Sequence, residues 1–215
     1  MPYELYYSPG ACSLAAHIVL EEVGAQADYH LVKLADGDHT RPPYLAINPK
    51  ARVPALRLPG EPRVLTELPA ILTYLARSHP ERGLIPATAA AEARCSEWLA
   101  WLAGWLHGTG YALLWRPARF SADPTQYAAL SAQGRQVIEA ANAEIEAALA
   151  DGRDWILGAA YSIVDPFLLV LYRWGNRIGL PMAERYPHWA ALARRIAARP
   201  AAARTLAHEC VSIDG

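Results

Sequence analysis

Cys12 stands directly after Ser8-Pro9-Gly10-Ala11, where a strand-like run gives way to an apolar helix-like one. Free backbone N–H groups and the helix dipole favour an anion at such a junction. A thiol placed there can fall from a pKa of ~8.5 to roughly 3.5–7.5. The same amides could instead hold the sulfur of a bound thiol, and a third reading makes Cys12 a small hydrophobe packed beneath the turn. Further along, Val53 precedes Pro54 at the start of a strand-like stretch. X–Pro bonds are the ones that reach cis cheaply, and a cis bond here turns the Val53 backbone outward, where an extended peptide could pair with it. Thr66 and Glu67 then precede another helix. Its free amides suit a ligand carboxylate and Glu67 suits a ligand ammonium, although Glu67 could equally serve only to complement the helix dipole. The three features read a thiol, a peptide backbone and the zwitterionic end of an amino acid. A small thiol peptide matches all three.

The elements that must position these residues are legible in the hydrophobic pattern. Tyr3 to Tyr7 reads as a strand, residues 13–23 as a helix with Leu14, Ile18 and Val19 at helical spacing, and Gly24 as its stop. Tyr29 to Val32 reads as a second strand, which the intervening helix makes parallel to the first. Ala55 to Leu58 and Arg63 to Leu65 flank Pro59-Gly60-Glu61-Pro62, a turn short enough for an antiparallel hairpin. A helix from Glu67 to Ser78 completes this half. The fold class expected is α/β followed by all-α: a small sandwich over residues 1–82, a linker at 83–88, and a helical domain over 89–215. In the second half, Ser162 and Asp165 have capping-box spacing ahead of the apolar run Phe167 to Leu171. They read as helix nucleators, not as chemistry.

Composition narrows the function classes. The 215 residues are 53% hydrophobic with a formal net charge of −1. No basic stripe points to nucleic acid, and no apolar run reaches the length of a membrane span. The start has neither a basic n-region nor an apolar h-region, so a cytoplasmic location is expected. Cys12, Cys95 and Cys210 are the only cysteines and form no C-x-x-C pair, which suits free thiols in a reducing compartment. No ligand spacing suggests a metal.

The motifs also resemble a known family. Tyr7-Ser8-Pro9-Gly10-Ala11-Cys12-Ser13-Leu14-Ala15, Asn48 to Leu56, Thr66 to Ile71 and Ser162 to Asp165 are similar to motifs of the cytosolic glutathione transferases, most closely the bacterial beta class. The resemblance implies a thioredoxin-like domain followed by an all-helical C-terminal domain, a homodimer, and glutathione as co-substrate with no permanently bound cofactor. It places Cys12 at the glutathione sulfur, Val53 and a cis Pro54 at its cysteinyl backbone, and Glu67 and Leu68 at its γ-glutamyl end, with Ala11 also among the glutathione-binding residues. His107 matches a histidine near the thiol and the electrophile side, a candidate both for catalysis and for the electrophile pocket. Tyr7 and Ser13 stand where other classes carry an activating hydroxyl, and packing beneath the turn is the alternative for Tyr7. Tyr111 and Trp115, beyond His107, are candidates for the pocket of a small hydrophobic electrophile, whereas Trp98, Trp101 and Trp105 read as core or interface.

The chain departs from the family where Gly108 replaces a frequent lysine, and where Ala100 and Gly104 replace polar residues that reach the neighbouring subunit in some relatives. A short loop from Ala35 to Pro43 leaves His39 or Arg52 as candidates for the glycine end. The expected activity is transfer of glutathione to apolar electrophiles. Thiol–disulfide exchange through a Cys12 mixed disulfide, a specialised lyase, isomerase or dehalogenase, and a non-catalytic ligand-binding protein are the alternatives.

Overall fold

A computed structural model describes residues 1–215. Strands Tyr3–Tyr7 (β1) and Ala27–Leu31 (β2) pair in parallel, Leu5 opposite Tyr29, with helix Ser13–Val23 (α1) crossing between them. Parallel neighbours need such a crossover. Gly24 ends α1 at φ 70°, its N–H returning to the carbonyls of Leu20 and Glu21, a conformation that a Cβ would penalise. Strand β2 starts and ends earlier than the pattern suggested, because Val32 leaves the strand after donating its N–H to Tyr7 O at 2.7 Å.

Ala55–Arg57 (β3) runs antiparallel to β1, and Val64–Thr66 (β4) antiparallel to β3, giving the order β2-β1-β3-β4. A 3-10 turn at Asp38–Thr40 and the short helix Pro42–Leu45 (α2) lead from β2 towards Val53-Pro54. Leu68–Ser78 (α3) follows β4 and packs against α1 through its buried Ile71, Leu72 and Leu75.

Beyond residues 83–88 the chain is helical: Ala89–Trp101 (α4), Ala112–Trp115 (α5), Tyr127–Leu149 (α6), Val164–Arg177 (α7), Met182–Arg185 (α8), Pro187–Ala197 (α9) and Pro200–His208 (α10). Between α4 and α5 the helix widens to π geometry over Leu102–Tyr111. Helix α7 is buried on every side, with Phe167 to Leu171 fully enclosed, which explains its unbroken apolar run. It packs against α1, and one core cluster contains Leu5 and Leu14 together with Phe167 and Trp189.

At the start of α7, Asp165 accepts the Ser162 N–H at 2.8 Å and hydroxyl at 3.0 Å, and the Ile156 N–H at 3.1 Å. The Ser162 hydroxyl accepts the Val164 N–H. Burial outweighs these bonds and pushes the Asp165 carboxyl up to about 6.

Candidate functional site

A cleft of about 680 Å³ lies between the sheet half and the helices. Cys12 sits on it as the residue before α1, 7% exposed. Its Sγ donates to the Val53 carbonyl oxygen at 3.4 Å, and the Val53–Pro54 bond is cis. Of the three readings open for Cys12, burial counts against a depressed thiol: it pushes Cys12 up to about 12, outweighing the Cys12 and Ser13 N–H groups and the charges of Arg116 and Arg52. At a helix start the amides favour the thiolate, but a thiol removed from water loses more than they return.

Two of the residues suggested as catalysts do not line the cleft. Ser13 is fully buried, its Oγ accepting the Ser8 N–H at 3.1 Å and donating to Ser8 O at 3.2 Å. It braces the turn. Tyr7 lies in a cluster with the rings of His17 at 5.6 Å, His208 at 6.1 Å and Tyr29 at 6.3 Å, and burial raises its pKa. Both corrections have one cause: β1 and α1 turn these side chains into the core while the loop between them faces out.

The remaining sequence candidates converge on the cleft. Ala11 and Pro54 line it, and Glu67 does so at the start of α3 with φ 69°, followed by the buried Leu68. Glu67 Oε1 is 2.9 Å from Lys50 Nζ, which also donates to Thr66 Oγ1 at 2.9 Å. Arg52 lines the cleft while its carbonyl is held by Tyr44 OH at 2.6 Å and Asn48 Nδ2 at 2.7 Å. His39 also faces it, with Nδ1 buried and unpartnered.

His107 stands on the π-helical segment, its ring 5.0 Å from that of Trp174 and 6.1 Å from that of Phe167. Burial first, then Arg116, Arg52 and Arg119, push it down to about 4, so it is neutral at neutral pH. The π turn also accounts for Gly108, where a Cβ would come 2.7 Å from the Ala103 carbonyl oxygen. Tyr111 is buried and donates to Leu171 O at 3.2 Å. Trp115 is 42% exposed, 4.8 Å from the Tyr111 ring and 5.1 Å from that of Trp174. The three tryptophans read as core or interface lie elsewhere: Trp98 and Trp101 meet edge to face at 5.6 Å, and Trp105 is exposed.

Sequence reasoning missed several residues. Lys50, Arg116, Arg119, Trp174 and Arg177 all line the cleft. Trp174 Nε1 donates to Gly10 O at 2.8 Å, and Glu209 Oε2 accepts the Gly10 N–H at 2.8 Å. Glu209 Oε1 lies 2.8 Å from His17 Nδ1, both side chains buried. The C-terminal region thus clamps the cysteine turn from both sides. The local signals available were the clustering of Arg116 and Arg119 just beyond Trp115, and the place of Lys50 within the Asn48 to Leu56 motif. No group of three or more His, Cys, Asp or Glu side chains is arranged to hold a metal ion.

The family "Glutathione S-transferase, N-terminal domain" matches residues 10–78. Over 206 residues the chain is 38% identical to glutathione S-transferase GstA of Escherichia coli O157:H7, covering 92% of this chain and 94% of that one. Its fold is similar to a glutathione transferase homologue from Sulfitobacter solved with bound glutathione, at TM-score 0.90 and 32% identity over 96% and 98% of the two chains. A bacterial beta class glutathione S-transferase from Sphingomonas chungbukensis superposes at TM-score 0.84 and 31% identity, covering 97% and 100%.

Proposed function

The chain belongs to the glutathione S-transferase family, and on that premise we propose that it binds glutathione in the cleft and transfers it, through sulfur, to apolar electrophiles. The observation that carries this reading is convergence. One cleft receives the start of α1 with Cys12, the Val53 carbonyl beside a cis proline, the start of α3 with Glu67, and His107.

Each group has a task in the reaction. Glu67 takes the γ-glutamyl ammonium, displacing Lys50, while the α3 amides take the adjoining carboxylate. The Val53 carbonyl accepts the cysteinyl N–H as an added strand would, freeing the Cys12 thiol to donate to the glutathione sulfur. Arg52 and His39 hold the glycine carboxylate. The α1 amides and the Cys12 S–H, with neutral His107 nearby, stabilise the thiolate; preorganised donors of this kind act where charge develops. The thiolate then attacks an electrophile seated on Tyr111 and Trp115. A C–S bond forms, the leaving group departs with its electron pair, and the thiol proton passes to solvent.

A Cys12 mixed disulfide is disfavoured, because a thiol raised to about 12 is almost wholly protonated at neutral pH. The beta class, a homodimer, detoxification and a cytoplasmic location complete the proposal. No helix is long and apolar enough to cross a membrane. Conjugation of glutathione to a chlorodinitrobenzene, measured against a no-enzyme blank, tests the activity. The expected result is a rate saturable in both substrates; protein that binds glutathione yet conjugates no electrophile counts against it.

A further inference from the structure

The cleft carries more positive charge than glutathione uses. Arg52, Arg116, Arg119 and Arg177 line it, and none of their side chains donates to an acceptor or pairs with a carboxylate, unlike most arginines of this chain. Glu67 is the one acidic side chain in the wall, and Lys50 already neutralises it. The whole chain has a net charge of −1, so the excess is local. Like charges gathered without counter-ions oppose one another, and such a cleft draws in anions. Burial first, then Arg116 and Arg52, depress Arg119, so those three guanidinium groups act on one another.

Glutathione satisfies part of this field. Its glycine carboxylate falls to Arg52 and His39, and Arg116 acts on the same side as the Cys12 sulfur. Arg119 acts on His107 as well as on His39, and Arg177 pairs with no carboxylate. Arg177 sits at the end of α7 on the electrophile side, with its guanidinium carbon 5.9 Å from the centre of the exposed Trp115 ring. An aromatic ring beside a guanidinium that pairs with no carboxylate is a site for a flat apolar body that bears an anion, because arginine pairs with carboxylate through two parallel hydrogen bonds.

Resting on the transferase reading, we propose that the acceptor substrates are aromatic electrophiles carrying a carboxylate, with the ring on Trp115 and the carboxylate on Arg177 and Arg119. The reaction is otherwise the one above. For a ring chloride, the glutathione sulfur forms the C–S bond, chloride leaves with the C–Cl pair, and the thiol proton goes to solvent.

Two acceptors of matched shape test this: a chlorodinitrobenzene and the corresponding chlorodinitrobenzoate. For each, kcat/KM is divided by the uncatalysed rate constant, which removes their different intrinsic reactivities. The benzoate is expected to be favoured about ten-fold or more at low salt, less so as salt rises. Arg177→Gln with Arg119→Gln should abolish the preference; both side chains are exposed and unpaired, so the variant should fold. An equal or reversed ratio, or a preference that survives the double substitution, overturns the proposal.

Calorimetric titration of the two glutathione conjugates separates this proposal from the reading beneath it. Tighter binding of the carboxylated conjugate without turnover of either acceptor removes the transferase and leaves the charge preference standing. Equal binding with brisk turnover of the neutral acceptor does the reverse.

Discussion

The Cys12 sulfur and the Val53 carbonyl oxygen lie 3.4 Å apart as donor and acceptor, across the meeting point of α1 and the cis Val53–Pro54 segment. The contact joins two sites that sequence alone treats as separate, one for sulfur and one for a peptide backbone. Cys12 is the donor in it, and burial keeps that thiol protonated.

Its reactivity should follow. With its thiol pushed up to about 12, Cys12 should resist alkylation at neutral pH while the exposed Cys210 reacts, as peptide mapping after limited labelling will show. Cys12→Ala should fold and lower kcat for conjugation by on the order of 10–100-fold, the worth of one hydrogen bond to a charged group. Fast Cys12 alkylation in the free protein would contradict the neutral thiol.

His107 predicts the shape of the pH profile. A base pushed down to about 4 stays neutral from pH ~5 upward, unlike an ordinary histidine at ~6.5. The kcat/KM profile should therefore show the glutathione thiol and no limb that belongs to His107. His107→Gln should lower the profile without changing its shape; a limb near ~6.5 that this variant removes would show a titrating histidine.

Asp165 predicts a pH-dependent contribution to stability. Its native pKa of about 6 lies above the ordinary 3.8, so the folded chain holds the proton more tightly than the unfolded one. That contribution is full below pH ~4 and is lost as pH rises through ~6. The unfolding free energy of wild type relative to the non-titrating Asp165→Asn should fall over this window by on the order of 2–3 kcal/mol and then level off. Asp165→Ala, which strands the Ile156 and Ser162 N–H groups, should cost ~3–5 kcal/mol. Denaturant titrations across pH measure both.

Glu209 predicts coupling between the C-terminal region and the cysteine turn. Glu209→Ala leaves the Gly10 N–H and buried His17 without their acceptor, at a cost of ~3 kcal/mol, or a Tm lower by roughly 6–12 °C. Hydrogen exchange at the Gly10 amide should accelerate beyond that of the sheet. Unchanged exchange there would show that Glu209 does not hold the turn.

What the sequence revealed followed the reach of local physics. Strand β1, helix α1 and the β3–β4 hairpin were readable because their apolar spacing and the stops at Gly24 and Pro59-Gly60 act over a few residues. The side-chain directions of Tyr7 and Ser13 depended on which face the sheet and helix would bury, and the height of the Cys12 pKa on how deeply the turn would sit. Glu209 acts across 199 residues on Gly10, and no local pattern announces that. Gly108 looked like a missing lysine until the π turn supplied a carbonyl in the path of its Cβ.

In the proposed reaction this cleft turns a glutathione thiol into a thiolate. The most direct measurement is titration of bound glutathione by the ultraviolet absorbance of its thiolate, with the glutathione-free protein subtracted and Cys12→Ala measured alongside. The account predicts a thiolate band already present at neutral pH, well below the ~8.5 of a free thiol, and weakened in the variant. Glutathione that binds but ionises only near its free value would contradict it.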